Sequence, residues 1–254
     1  MLQMPAEDFQ ESLHVISDTK AGLSGIIAIH STVLGPAAGG CRLWHYASQE
    51  ECSIDAIRLA RGMSYKNALA GLPFGGGKAV LHRPEGDFDR TAFFHAFGRA
   101  IAELEGRYIT AEDVGTNVAD MRAVRERTRF VAGLDNKEGL AGGDPSPWTA
   151  LGVFESMKAA ASELLGLELR EATVAIQGVG NVGVRLCQML AGAGARLVVA
   201  DIVESRARAL AERLGATQVS VEDLPDVDAH IYAPCALGAV LNDSTIPRLK
   251  AQLV

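Results

Sequence analysis

The chain has 254 residues but only four cysteines, Cys41, Cys52, Cys187 and Cys235, with no CxxC pair and no zinc-type spacing. A zinc ribbon and a disulfide framework are therefore not expected, and free thiols in a cytoplasmic protein are the simplest expectation. The six histidines form neither HExxH nor another ligand cluster, so no metal is expected. The N-terminal MLQMPAEDFQ lacks a basic stretch followed by a long apolar run, which argues against a signal peptide. The apolar run SGIIAIH is far too short to span a bilayer. Positive charge is also scarce. Lys and Arg number 24 against 31 Asp and Glu, a formal net charge of -7 at pH 7. Broad attraction to nucleic acid is disfavoured, and the basic run RAVRERTR reads as a solvated helix. No internal repeat or low-complexity tract is present.

What the chain does have is apolar content and glycine. A hydrophobic fraction of 48% with 22% charged residues describes a globular chain, long enough for one large domain or two ordinary ones. The 27 glycines gather at 39–40, 75–77, 142–143 and 178–183, where a backbone can come close to a ligand. Residues 24–30 predict a strand and then a tight turn, and residues 53–65 a helix with Lys66 near its end. KAVLHRP predicts a strand stopped by Pro84. Phe93, Phe97, Ile101 and Leu104 share one face of a helix, and RYITAEDVG reads as a strand running into a polar loop. The Gly-, Asp- and Pro-rich GLDNKEGLAGGDPSP then separates two styles of sequence. Beyond it, Trp148, Leu151, Phe154, Met157, Ala161 and Leu164 mark a long helix, followed by alternating strands and helices. The expected fold class is α/β: an N-terminal α/β substrate domain over 1–135, a hinge over 136–147, and a Rossmann-type domain with a mostly parallel sheet over 148–254.

Within ATVAIQGVGNVGVRL, Gly178, Gly180 and Gly183 form GxGxxG, with Asn181 and Val182 inside the turn. Alone that pattern is weak. Here an apolar strand precedes it, a helix follows, and Asp201 ends the next strand, which is the dinucleotide-binding context. Gly178 would permit the turn, Gly180 the approach of a pyrophosphate and Gly183 close helix packing. Asp201 would accept hydrogen bonds from the adenosine ribose hydroxyls and repel a 2'-phosphate, so NAD is expected over NADP.

A second glycine motif, LPFGGGKAVL, sets Gly75, Gly76 and Gly77 before Lys78. A P-loop needs GxxxxGK followed by Ser or Thr, whereas residue 79 is Ala and the spacing differs. The glycines therefore read as clearance for a substrate beside Lys78. Lys66 lies upstream and Asp113 follows a strand in TAEDVGTN. Two lysines and an aspartate would suit proton transfer and carboxylate binding if they converge. Residue chemistry alone leaves solvated lysines and a helix-capping Asp113 as the alternative.

In order along the chain, GPAAGGCR (35–42), ARGMSYKNALAGLPFGGGKAV (60–80), YITAEDVGTN (108–117), DPSPWTALGVFESMKAA (144–160), QGVGNVG (177–183) and APCALGAVLND (233–243) resemble the Glu/Leu/Phe/Val amino-acid dehydrogenases. The likeness is to their leucine/phenylalanine/valine branch and covers most of the chain. It implies reversible NAD-dependent oxidative deamination of an apolar or aromatic L-amino acid to its 2-oxo acid and ammonium, in a homo-oligomer. It implies that Lys66 binds the substrate carboxylate, that Lys78 is the catalytic lysine activating water, and that Asp113 exchanges a proton with the amino group. Gly39 and Gly40 would line the substrate site and Met63 its wall. Thr149 would lie on the nicotinamide side, and Ala233, Pro234 and Cys235 would pass the cofactor. Ala38 stands where many leucine-type relatives carry Leu, which brings aromatic substrates into competition with leucine and valine.

The resemblance also implies a longer chain. Relatives continue past LKAQLV, and part of that tail returns to the first domain. A truncated form with exposed apolar surface is therefore expected, and a catalytically impaired dinucleotide-binding or scaffold protein is the alternative reading. Cys41 stands where Thr is common, with no partner base that would make it a nucleophile.

Overall fold

The computed structural model describes residues 10–134 and 142–254. Residues 136–141 of the expected hinge lie outside these. The chain divides into two compact units, Met1–Asp144 and Pro145–Val254.

The first unit is built from β1 (Ser12–Asp18), β2 (Leu23–Ser31), β3 (Ala37–Trp44), α1 (Gln49–Leu69), β4 (Gly75–His82), α2 (Arg90–Ala102), β5 (Tyr108–Glu112) and α3 (Val118–Arg125). Its five-stranded sheet runs β1-β2-β4-β3-β5. The β1–β2 and β2–β4 pairs are antiparallel, and β3 is parallel to both β4 and β5. The two-residue alternation of β2 sorts its side chains by face. Ile27 and Ile29 join Phe93, Phe94, Phe97 and Ile101 of α2 in the larger core, while Ile26 and Ala28 join Val80 and the small residues Cys52, Ala56 and Ala60 of α1. Each fully buried Phe contributes about 2–3 kcal/mol of hydrophobic stabilisation.

The helices start where short polar side chains can meet the free N–H groups of a first turn. Ser48 accepts from the Glu51 N–H ahead of α1, and Asp89 accepts from Ala92 ahead of α2. Asn117 and Asp120 form a reciprocal capping box on α3.

The glycine run 75–77 departs from its expected role. It is not a loop clearing space for a substrate but the buried first part of β4, the middle strand of the sheet. A Cβ at Gly75 would stand 1.9 Å from the Ser31 carbonyl oxygen. One at Gly76 would stand 2.2 Å from the Ser64 backbone nitrogen, and one at Gly77 2.8 Å from the Tyr108 ring. The glycines let α1, β2 and Tyr108 close onto the strand that carries Lys78. Gly76→Ala drives a methyl group into the backbone of α1, so the expected cost is about 2–3 kcal/mol. It would be read as a lower urea midpoint at unchanged m. Gly39 and Gly40, expected near a turn, likewise lie inside β3. Residues 12–18, for which the sequence reading has no element, form the edge strand β1.

The second unit contains α4 (Ser146–Ala160), β6 (Thr173–Gln177), α5 (Asn181–Gly192), β7 (Arg196–Ala200), α6 (Glu204–Leu214), β8 (Thr217–Gln218) and β9 (Ile231–Pro234). Its four strands are all parallel in the order β8-β7-β6-β9. The strand–helix–strand crossover is that of a Rossmann-like nucleotide-binding unit. The expected long helix is α4, ending in one wide turn over Ala161–Leu165 and a left-handed Gly166. No helix among the described residues is long and apolar enough to cross a membrane. No group of three or more His, Cys, Asp or Glu among them is placed to hold a metal.

Candidate active site

Lys78 and Asp113, 35 positions apart in sequence, meet in the first unit. Lys78 leaves β4 on the side that Ala28 and Val80 share with α1. Asp113 follows the end of β5. The Lys78 Nζ is 2.9 Å from Asp113 Oδ2, with the lysine side chain only 7% exposed. The same carboxylate oxygen accepts from Arg42 Nε at 3.0 Å. Arg42 lies on β3 and directs its Nη1 to Asp55 of α1 at 2.8 Å. Asp55 is itself held by the Tyr46 hydroxyl at 2.6 Å and by Arg58 at 3.0 Å. A chain of alternating charge thus runs from Lys78 through Asp113, Arg42 and Asp55 to Arg58.

Burial disfavours the charged form of Lys78 and outweighs the attraction of Asp113, so its ammonium loses its proton more readily than an ordinary lysine; the nearby Arg42 adds to this. Burial alone would raise the Asp113 carboxyl. Lys78, Arg42 and the Val114 backbone N–H together hold it below the usual carboxylate range. Lys78 therefore releases its proton more readily than an ordinary lysine, while the Asp113 carboxyl favours its ionised form.

The loop after β5 is held from several sides. The Asp113 N–H donates to Thr116 Oγ1 at 2.9 Å, and the Thr116 hydroxyl donates to the Cys41 carbonyl at 3.0 Å. Gly115 has φ +84°, and a Cβ there would stand 1.9 Å from the Leu43 carbonyl oxygen, so the tight approach requires glycine. Arg90 grips the buried Asp120 with two hydrogen bonds and also donates to the Gly115 carbonyl at 2.6 Å.

Gly39 and Gly40 border this centre. The Tyr108 hydroxyl donates to the Gly39 carbonyl at 2.7 Å. A Cβ at Gly40 would stand 2.9 Å from Asp113 Cβ, and one at Gly39 would stand 3.1 Å from Met63 Cγ. Met63 therefore packs beside the glycine pair. Lys66 follows one turn later, exposed in the last turn of α1. No hydrogen bond or ion pair joins it to Lys78 or Asp113. Cys41, within β3, is fully buried, and burial pushes its thiol well above the usual range, which argues against a nucleophilic role. Arg42, Asp55 and Tyr46 escaped the sequence reading as site residues. Their only sequence signal is that Arg42 sits two positions after the glycine pair.

In the second unit the glycine turn follows β6. Gly178 has φ +93°, and a Cβ at Gly183 would stand 2.0 Å from the Gly178 carbonyl oxygen, so both are required by the turn itself. Gly180 differs: a Cβ there would meet nothing within 4 Å. Gly180 precedes α5, whose N-terminus has no side-chain cap, and the first N–H groups of a helix favour an anionic group. Asn181 is exposed, and Val182 packs partly on the core. Asp201 closes β7. Its two oxygens accept the Val179 and Val203 N–H groups, each at 2.8 Å. Each carboxylate oxygen retains a second acceptor position for a ribose hydroxyl. An open glycine, an uncapped helix start and a carboxylate on the next strand fit a dinucleotide.

The Ala233 side chain lies in the core, where Ala233 pairs with Ile176 of β6, while Pro234 is exposed. The Cys235 N–H donates to the Gln177 carbonyl at 2.8 Å, and burial raises its thiol to about 11. Thr149, in the first turn of α4, donates its hydroxyl to the Pro145 carbonyl at 3.1 Å.

Comparison with known proteins agrees with both units. Residues 8–130 match the family model described as Glu/Leu/Phe/Val dehydrogenase, dimerisation domain, and residues 144–206 match that of Glutamate/Leucine/Phenylalanine/Valine dehydrogenase. The chain is 50% identical over 252 residues to a leucine dehydrogenase of Geobacillus stearothermophilus, covering 99% of this chain and 68% of that one. It is 46% identical to a valine dehydrogenase of Streptomyces albus, covering 96% of this chain and 68% of the relative. The crystal structure of L-tryptophan dehydrogenase from Nostoc punctiforme superposes with a TM-score of 0.67 at 37% identity, over 96% of this chain and 69% of that one. With matches that run through both the lysine–aspartate unit and the glycine-turn unit, the chain belongs to the Glu/Leu/Phe/Val dehydrogenase family.

Proposed function

We propose that this chain catalyses the reversible, NAD-dependent oxidative deamination of an apolar or aromatic L-amino acid to its 2-oxo acid and ammonium. The observation that carries the reading is the buried Lys78 paired with Asp113 at 2.9 Å, in a chain that also holds an open glycine turn for a dinucleotide. Gly178, Gly180, Asn181, Val182 and Gly183 would hold the pyrophosphate and Asp201 the adenosine ribose. Thr149, Ala233, Pro234 and Cys235 would flank the nicotinamide. Bound NAD would supply the hydride acceptor for the amino-acid Cα.

The chain's own residues handle charge and protons. Lys66, exposed on the turn after Met63, would hold the substrate carboxylate, a group that stays charged throughout. Asp113 would exchange a proton with the substrate amino group. Lys78 in its neutral form takes a proton from water as that water's oxygen bonds to the iminium carbon, giving a carbinolamine. The resulting Lys78 ammonium then returns a proton to the amine nitrogen. The carbon–nitrogen bond breaks as the hydroxyl proton passes to Lys78, leaving the 2-oxo acid, and the departing ammonia takes that proton and leaves as ammonium. Met63 and Ala38 would bound the side-chain pocket, and their apolar character suits leucine, valine or an aromatic residue. The dimerisation domain named in the family description supports a homo-oligomer.

The test is direct. Purified chain with NAD and a panel of L-amino acids should raise NADH absorbance with branched or aromatic substrates, and not with glutamate. NADH binding without turnover of any amino acid would instead favour a dinucleotide-binding protein without this activity.

A further inference from the structure

The lysine–aspartate pair leaves Arg42 unexplained, because a second cation on the same carboxylate is not needed to neutralise Asp113. Lys78 already does that at 2.9 Å. Arg42 is nevertheless buried, with its Nε on Asp113 Oδ2 and its Nη1 on Asp55 Oδ2. Asp55 is fixed in turn by Tyr46 and Arg58. Three elements, β3, α1 and the segment after β5, thus meet through one guanidinium. A guanidinium stays protonated at every working pH, and its planar fork fixes the geometry of two partners at once.

We propose that Arg42 is a positioning residue for the catalytic pair: clamped by Asp55, it fixes the Asp113 carboxylate that Lys78 also contacts, and as a second cation on that oxygen it eases loss of the Lys78 proton. The proposal rests on the deamination reading for its catalytic meaning, but its electrostatic content does not. A carboxylate shared by two cations keeps one of them when Lys78 discharges. Without Arg42, loss of the lysine proton would leave the Asp113 carboxylate beside a neutral amine with no cation on it, so Lys78 would keep its proton to higher pH. The charged and titratable groups facing Lys78 are Asp113 beyond β5 and Arg42 and Cys41 on β3. Those facing Arg42 are Asp113, Asp55 of α1 and Tyr46. Of the groups facing Lys78, Arg42 favours its neutral form, whereas Asp113 favours its charged form.

The sign follows. Removing Arg42 removes a like charge from Lys78, so the lysine holds its proton to higher pH. In Arg42→Met the Lys78 titration should move up by about one pH unit. It can be followed by NMR of chain labelled at lysine Cε and assigned by its loss in Lys78→Met. In deamination the acid limb of kcat/KM should move up by the same amount, while Arg42→Lys, which keeps the charge, should restore most of the wild-type profile. Because Arg42→Met leaves Asp55 with only Arg58 and Tyr46, the double variant Arg42→Met/Asp55→Asn serves as the second test, with the same upward shift expected. An unchanged Lys78 midpoint in either folded variant overturns the proposal, and so does failure of both variants to fold, which would make Arg42 purely structural. The NMR midpoint is independent of turnover. An inactive wild-type chain with a shifted midpoint would reject the deamination reading and retain the role of Arg42.

Discussion

Lys78→Ala should lower kcat/KM for oxidative deamination by about 10³–10⁴-fold while leaving NADH binding unchanged. The ammonium is buried and its proton affinity reduced, so no neighbouring group can take over as base. Asp113 keeps one cation, Arg42, when the lysine is lost, and a carboxylate is a far weaker base than an amine. Cys41 is fully buried, with its thiol pushed up. The fold should survive, because Asp113 keeps Arg42 at 3.0 Å after the lysine is lost. What remains is the space left by the lysine stem, about 2–3 kcal/mol for a long buried side chain. Lys78→Met fills most of that space and should be equally inactive, which separates chemistry from packing. NADH fluorescence titration, stopped-flow turnover and partial rescue by a small primary amine would read the three parts. Turnover within tenfold of wild type in Lys78→Met would reject Lys78 as the base.

Asp113→Asn carries the second large effect, on stability as well as rate. Removing the carboxylate's charge leaves two buried cations facing a neutral amide. Orphaning a buried charge costs about 3–5 kcal/mol. The low end, about 3 kcal/mol, is expected, because Lys78 can discharge by losing its proton and Arg42 retains Asp55. The pH dependence has a definite sign. The folded pKa of Asp113 is depressed, so its contribution is present above the unfolded carboxylate pKa and disappears as pH falls through the folded one. The folded pKa of Lys78 is also depressed, so the unfolded chain binds more protons on that residue, and stability rises with pH between the folded and unfolded lysine values. Asp113→Asn removes the group that most raises the Lys78 pKa, so this alkaline gain should widen toward neutral pH while the acid-side loss vanishes. Urea midpoints across pH would measure both, and an acid limb identical to wild type would reject the assignment.

Much of the fold was legible because its signals are local. The Phe93, Phe97 and Ile101 stripe is a helix face whose partners are whatever apolar surface lies opposite. The strand, glycine turn, helix and Asp201 of the second unit form one contiguous stretch, which is why the dinucleotide motif could be read without the structure. The glycine run 75–77 was misread because glycine ordinarily weakens a strand. Its reason for being there lies at Ser31, Ser64 and Tyr108, all distant in sequence. Strand β1 was missed for a related reason: its place is set by pairing with β2. Lys78 and Asp113 were legible as residue types and by family resemblance, whereas their 2.9 Å approach depends on the order β4-β3-β5 across the sheet. The partners of Arg42 depend in the same way on how α1 lies over β3.

The close fit of α1, β2 and Tyr108 around Gly75, Gly76 and Gly77 bears on how such a protein can change over generations. Backbone atoms are the one part of a protein that a codon change cannot trim or enlarge. The strand bearing Lys78 is seated against a carbonyl of β2 and the main chain of α1, so neighbouring side chains can be exchanged without shifting the lysine. Ala38 and Met63, by contrast, are ordinary side chains beside the same centre. On the proposed reading of Ala38 and Met63 as pocket walls, substrate preference would wander with single substitutions, while the proposed proton-transfer step would stay where the main chain has set it.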